Sequence, residues 1–128
     1  HGEYMLTNED VLSHRKFSDA VARSNYPIDV HGHKLRNQEI VSEENTAPYY
    51  EIPYRCMVPV GVDGLLVAGR CISSEFVAQS SLRIQPTARA LGEAAGIAAA
   101  MAVRDGSEVR AIRGEDVRAE MLRRGARF

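Results

Sequence analysis

The strongest constraint on what this chain can fold into is the stretch from Leu65 to Val103. It opens on an uncharged run, Leu65-Leu66-Val67-Ala68, bounded by Gly64 and Gly69. So short and apolar a run predicts a strand buried on both faces. Gly69 lets the backbone turn sharply or approach a ligand closely. A polar, irregular loop follows. Pro86 then suits the first turn of a helix, where its missing N–H costs nothing, and Gln85 or a neighbour is the boundary residue. From Thr87 to about Arg104 the residues are helix formers without another proline, which predicts a helix of roughly 18 residues, ~27 Å long. Strand, glycine, loop and a bare helix N-terminus is a common way for α/β proteins to hold a phosphate or an electron-rich ring.

The surface of that helix narrows the reading. Ala88, Gly92, Ala95, Gly96 and Ala99 fall at spacings of three and four and share one face, on which every side chain is tiny. Two interior glycines cost roughly 1 kcal/mol each relative to alanine, so a close approach should offset them. The partner is either a sheet with no ligand or a bound ligand, and the helix pattern alone leaves both open. Leu91, Met101 and Val103 supply bulk elsewhere, and Arg89 with Glu93 forms an i,i+4 pair on a wetter edge. The uncharged run from Ala94 to Val103 is far short of the roughly 20 residues a membrane span needs.

The remaining chain reads as short elements. His1 to Leu6 is a strand candidate. Thr7 with Asp10 three residues on predicts a capped short helix through about His14, with Val11 and Leu12 inward. Ala20–Ser24 and Ile28–Val30 are strand candidates separated by the turn signal Asn25-Tyr26-Pro27. Residues 34–48 are polar and without periodicity, an exposed loop. Order resumes at Tyr49-Tyr50-Glu51-Ile52, and Pro53 and Pro59 bracket a predicted strand over Tyr54–Val58. Val60–Gly64 is a turn. Asp105-Gly106 ends the long helix, and Glu115–Arg124 is a last helix with Val117, Met121 and Leu122 inward. Short strands, one long Ala/Gly-rich helix and a C-terminal helix make an α+β arrangement.

Composition excludes several functions. A net charge of −1 gives no electrostatic case for nucleic acid or an anionic membrane. The basic tail around Arg110, Arg113, Arg118, Arg123 and Arg124 is interspersed with acids and reads as a solvated face. Cys56 and Cys71 are too few for a disulfide framework; both adjoin an arginine, which can lower a thiol pKa, but the favoured reading is two free cysteines packed beside strands. His31-Gly32-His33 offers two ligands on one strand face, which is not a metal site.

With these residues in view, "EIPYRCMVP", "LLVAGRCIS" and "LRIQPTARALGEAAGIAAA" resemble the C-terminal part of FAD-dependent oxidoreductases of the glutathione-reductase-like flavoprotein type. "GEYMLTNEDV", "FSDAVARSNYPIDVHG" and "YYEIPYR" resemble that family too, so the likeness spans nearly the whole chain. It implies a fragment of an α/β FAD-binding fold, in which residues 1–60 belong to the substrate domain and residues 61–128 return to complete the FAD domain. Gly69 and Arg70 would then lie near the pyrophosphate and ribityl chain, and Ser81, Arg83, Gln85, Pro86 and Thr87 near the flavin ring. Gly92 would allow close packing behind the cofactor. Asp29 and His31 lie in a "DVH" pattern on the substrate side, where either could orient substrate or move a proton, or make a structural hydrogen bond. Arg55 is a further candidate for an anionic substrate, with a surface ion pair as its default reading.

The family's strand–GxGxxG–helix unit does not occur in these residues. The expectation is therefore a piece of a longer cytoplasmic enzyme, whose partner is the missing N-terminal half and whose substrate is a small molecule. FAD is expected in the full-length protein and not in this piece alone. The alternative, different in class, is an inert folded module that bares the small-residue helix face and dimerises through it.

Overall fold

The computed structural model describes residues 1–30 and 48–128. In chain order the elements are α1 (Asn8–Leu12), β1 (Ala20–Ser24), β2 (Tyr50–Pro53), α2 (Phe76–Leu82), α3 (Gln85–Asp105) and α4 (Gly114–Arg123). Single 3-10 turns occupy Tyr54–Met57, Gly69–Cys71 and Val109–Ala111. Helices beside a small sheet make this an α+β arrangement, as the sequence predicts. The predictions for His31, Gly32, His33 and nearly all of the 34–48 loop lie outside the described residues.

β1 and β2 pair antiparallel, with Arg23 opposite Glu51 and Ser24 opposite Tyr50, and a bulge between Ala20 and Ala22. A two-stranded sheet is marginal alone and needs a helix on its face. α3 supplies it, and α4 packs against both α3 and β1. Leu6, Val21, Ile52, Met57, Leu82, Leu91, Val117 and Met121 fill the space between them.

α3 buries Thr87, Leu91, Ala94, Ile97, Ala98 and Ala102. Of the partners the sequence leaves open for its small-residue face, no sheet among the described residues covers Gly92 or Gly96, and the face is bared there. A Cβ added to Gly92 or Gly96 would meet no atom within 4 Å. The reason is hydrocarbon content: Leu91 and Ile97 each gain about 1.5–3 kcal/mol on burial, whereas alanine and glycine gain little. The bulky stripe turns inward and leaves the tiny one open. Gly106, at φ +61°, closes the helix, and the Ser107 N–H returns to the Ala102 carbonyl at 3.0 Å.

α1 begins as expected. Thr7 is its N-cap, and Asp10 returns the bond in a full capping box. Val11 is buried, but Leu12 is 59% exposed, because five residues give only one inward turn. α2 was not foreseen within the polar loop. Its first turn lacks a local side-chain cap. Instead the Ala78 N–H donates to Asn8 Oδ1 at 2.9 Å, and the Asn8 N–H donates to Glu75 Oε2 at 2.7 Å. Each short helix thus satisfies an orphan donor of the other.

Four predicted strands are corrected. Leu65–Ala68 is extended but unpaired apart from the Val67 N–H to the Met57 carbonyl, and Leu65 is 46% exposed. Among the described residues no strand lies beside it to complete a ladder. Tyr54–Met57 is a 3-10 turn, and the strand is the segment just before it; the Tyr54 N–H turns to the Asp19 carbonyl at 2.9 Å. His1–Leu6 makes only isolated bridges, Gly2 with Pro59 and Leu6 with Ser74. Among the described residues Ile28–Val30 forms no named strand, Val30 being a single bridge residue, and Ser80 of α2 accepts the Asp29 N–H at 3.1 Å. In α4, Val117 and Met121 face inward, but Leu122 is 47% exposed.

The glycines allow a test of this packing. A Cβ at Gly114 would lie 2.5 Å from the Asp19 carbonyl oxygen and 2.8 Å from Tyr54 Cβ. Gly114→Ala should therefore destabilise the chain by about 1–3 kcal/mol in urea unfolding. Gly92→Ala, with open space and a gain in helix propensity, should stabilise it by up to about 1 kcal/mol. A loss at Gly92 would show that its face is covered in the folded chain.

Candidate functional site

The start of α3 sits in a corner built from three segments. The turn Gly69–Cys71 packs against α3. Gly69 has φ +71°, the left-handed conformation that favours glycine. The Arg70 side chain donates through Nε to the Arg83 carbonyl at 2.8 Å, and Gln79 Nε2 donates to the Arg70 carbonyl at 2.6 Å. Gln79 in turn accepts from the Ser74 hydroxyl at 2.8 Å. The turn is thus pinned to the α2–α3 junction from both sides. Gln79 was not singled out in the sequence; a glutamine in a polar stretch gives no signal of this bridging.

Arg83 ends α2 and points to Asp29, with 3.4 Å to both the carbonyl and the carboxylate. Arg83, a candidate for the ring and equally for the substrate side, therefore meets the substrate-side candidate Asp29 in one ion pair. Gln85 and Pro86 are exposed in the first turn of α3, whose N-cap, Ile84, supplies no side-chain hydrogen bond. The first helical N–H groups have no partner within the helix, and the helix dipole makes this end electropositive.

Other predicted site residues lie apart from that accessible edge. Thr87 is only 2% exposed, backbone and side chain together, so it is buried behind the accessible edge rather than part of it. Ser81 is fully buried; it donates to the Tyr26 carbonyl, and its hydroxyl lies 2.8 Å from that of Tyr50. Gly92 lies further along the open face of α3. Arg55 is held by Asp19 in a two-point ion pair of 2.8 and 3.1 Å and lies over the Tyr4 ring at 5.2 Å, which is the structural role foreseen for it. His31 lies outside the described residues.

The cysteines are unpaired, Cys56 buried and Cys71 exposed. Burial pushes the Cys56 thiol up to about 12, which removes it as a ready nucleophile. Among the described residues no group of histidine, cysteine and carboxylate side chains could hold a metal ion, and no helix is long and apolar enough to cross a membrane.

Residues 1–121 match the family model described as FAD dependent oxidoreductase. The chain therefore belongs to the FAD dependent oxidoreductase family, and the flavin class expected from its motifs is the class found. No curated protein and no solved structure is matched by the chain. The accessible residues at the α3 corner suit such a cofactor in kind: guanidinium donors, an exposed amide side chain, a helix N-terminus and a glycine face with open space beside it.

A buried carboxylate with several hydrogen-bond partners lies elsewhere. Asp10 is buried, and burial alone would push its carboxyl up. Hydrogen bonds from the Thr7 backbone, from the Tyr4 and Arg15 side chains, and the capping contact with Thr7 outweigh that and hold it below the usual carboxylate range. Because the folded pKa lies below the unfolded one, this stabilisation is complete above about pH 4 and is lost as the pH falls through the folded value. Asp10→Asn should be less stable at pH 6 by about 1–3 kcal/mol. The gap from the native chain should narrow by pH 2–3 in urea titrations; a gap of constant size would show that the charge is not what Thr7, Tyr4 and Arg15 recognise.

Proposed function

We propose that this chain is the C-terminal portion of a glutathione-reductase-like flavoprotein and completes its FAD-binding domain, with residues 1–60 contributing to the substrate side. One observation carries the reading: in a member of the FAD dependent oxidoreductase family, the start of the longest helix stands exposed beside a pinned Gly69–Arg70 turn, and a glycine face runs open from it. FAD, when bound, supplies hydride transfer through its N5 atom.

The roles of the chain's own residues follow from their placement. Gly69 lets the backbone of the turn come close to the pyrophosphate and ribityl chain, and Arg70 adds positive charge there. Arg83, Gln85 and Pro86 border the ring. Thr87, buried in the first turn, anchors the electropositive end of α3, whose dipole favours negative charge developing on the pyrimidine side. Ser81 acts from beneath, tying α2 to Tyr50 and to the Tyr26 carbonyl so that the corner keeps its shape. Gly92 lets the remainder of the FAD domain, or the cofactor itself, lie close along the helix. Asp29 is a candidate for the substrate side, with His31, which lies outside the described residues, and Arg55 as the further candidates carried by the sequence resemblance.

A second reading concerns the chain alone. Phe76 is 80% exposed and Val103 is 84% exposed. An isolated chain with these groups bare would self-associate and bind no flavin by itself.

Flavin retention tests both. The chain is mixed with FAD alone, and then with FAD and a segment of the same protein carrying the strand–GxGxxG–helix unit. Absorbance of retained flavin after gel filtration should be slight in the first case and near stoichiometric in the second. Arg70→Ala and Gln85→Ala should each weaken retention about tenfold, the scale of one charge-assisted hydrogen bond. Full retention in both variants would remove the α3 corner from the cofactor site.

A further inference from the structure

Most arginines of this chain are already matched. Arg15, Arg55, Arg83, Arg104, Arg110, Arg113, Arg123 and Arg124 each have a carboxylate within 4.0 Å. Arg70 donates to a backbone carbonyl, and Arg118 lies over the Phe128 ring at 4.2 Å. Arg23, Arg89 and Arg127 have no carboxylate partner among the described residues, and all three line one cleft of about 370 Å³.

The cleft runs between β1, the first half of α3 and the C-terminal tail. Arg23 enters from β1, where it is the outward residue between the buried Ala22 and Ser24. Its guanidinium lies 4.8 Å from the centre of the Tyr49 ring, which steadies it without neutralising it. Arg89 enters from α3. Its expected i,i+4 partner, Glu93, also lines the cleft but makes no ion pair with it, so the guanidinium keeps its donor fork. Arg127 closes the third side. The lining side chains thus carry three positive charges against one negative, over an apolar floor of buried Met121 and a wall formed by Phe128, whose terminal carboxylate adds a second negative charge in this chain.

We infer that this cleft binds a small organic anion, with a carboxylate or phosphate group among Arg23, Arg89 and Arg127 and its ring or chain against Phe128. The volume lies at the lower end of the range for small-molecule sites. Planar guanidinium forks suit both oxyanions, and several around one group make the attraction much larger than any single exposed pair. Pro86, assigned above to the border of the ring, also lines this cleft, but the inference uses no flavin chemistry and its test needs no cofactor.

Backbone-amide NMR titrations of the whole chain test it, with benzoate and phenyl phosphate as probes and benzyl alcohol as the neutral control. Both anions should shift the amides of Ala22, Ala90, Ala126 and Phe128, with millimolar or tighter affinity, and raising the salt from 0.05 to 0.5 M should weaken them. The tighter probe identifies the oxyanion as carboxylate or phosphate. Arg89→Gln should lower affinity about tenfold or more, and Arg89→Lys by less, whereas Arg113→Gln, on an arginine away from the cleft, should leave it unchanged. Arg89 is exposed, so the variant should keep the wild-type melting profile, which circular dichroism checks. Equal shifts with benzyl alcohol, no loss in Arg89→Gln, or shifts confined to other surfaces would overturn the inference.

Discussion

The packing of the bulky stripe of α3 onto β1 is the interaction on which the remainder of this structure depends. A two-stranded sheet cannot bury enough surface to persist alone. Leu91, Ala94, Ile97 and Ala98 give it a second layer, and α4 adds Val117 and Met121 to the same cluster. The turn at Gly114 lies so close to Asp19 and Tyr54 that only glycine fits. Because the stripe with hydrocarbon must face inward, the rotation of α3 about its axis is fixed. Its glycine face and its uncapped start are then directed away from the core. What looks like an unfinished surface is the direct consequence of how the finished one packs.

The corner at the start of α3 is held by polar bonds rather than by burial. Gln79 and Arg70 tie the Gly69–Cys71 turn to the end of α2, and α2 is tied to α1 through Asn8 and Glu75. α1 is tied to its own capping box through Asp10, which also collects Tyr4 and Arg15. A chain of satisfied hydrogen bonds therefore links the N-terminal residues to the corner across more than 60 positions of sequence. Such a chain holds the corner in one arrangement, and a ligand bound there would meet a lower ordering cost.

How much of this was legible in the sequence follows from how local each cause is. α3 was legible because proline, a long run of helix formers and a terminal glycine all act within one turn of the residue concerned. The capping box at Thr7 and Asp10, and strand Ala20–Ser24, were legible for the same reason. The long-range cap between Asn8 and Ala78 was not, because neither residue signals the other. Leu65–Ala68 carried the composition of a buried strand, but composition cannot supply a neighbouring strand. The open face of α3 was legible only in part, because small residues signal a close approach in general, and not where the partner lies. Family membership was legible from whole motifs. Of the individual roles, Arg55 as an ion-paired residue was legible, while the meeting of Asp29 with Arg83 needed the fold.

The central claim is that the start and glycine face of α3 form an unfinished half of a flavin site. Hydrogen exchange along α3 measures this most directly, in the chain alone and after it is combined with FAD and the segment bearing GxGxxG. The account predicts new protection at the Gln85 amide and along the turns around Gly92 and Gly96, with little change in the already buried residues Thr87, Leu91, Ile97 and Ala98. Flavin retained in the combined protein with exchange at Gln85, Gly92 and Gly96 unchanged would contradict it.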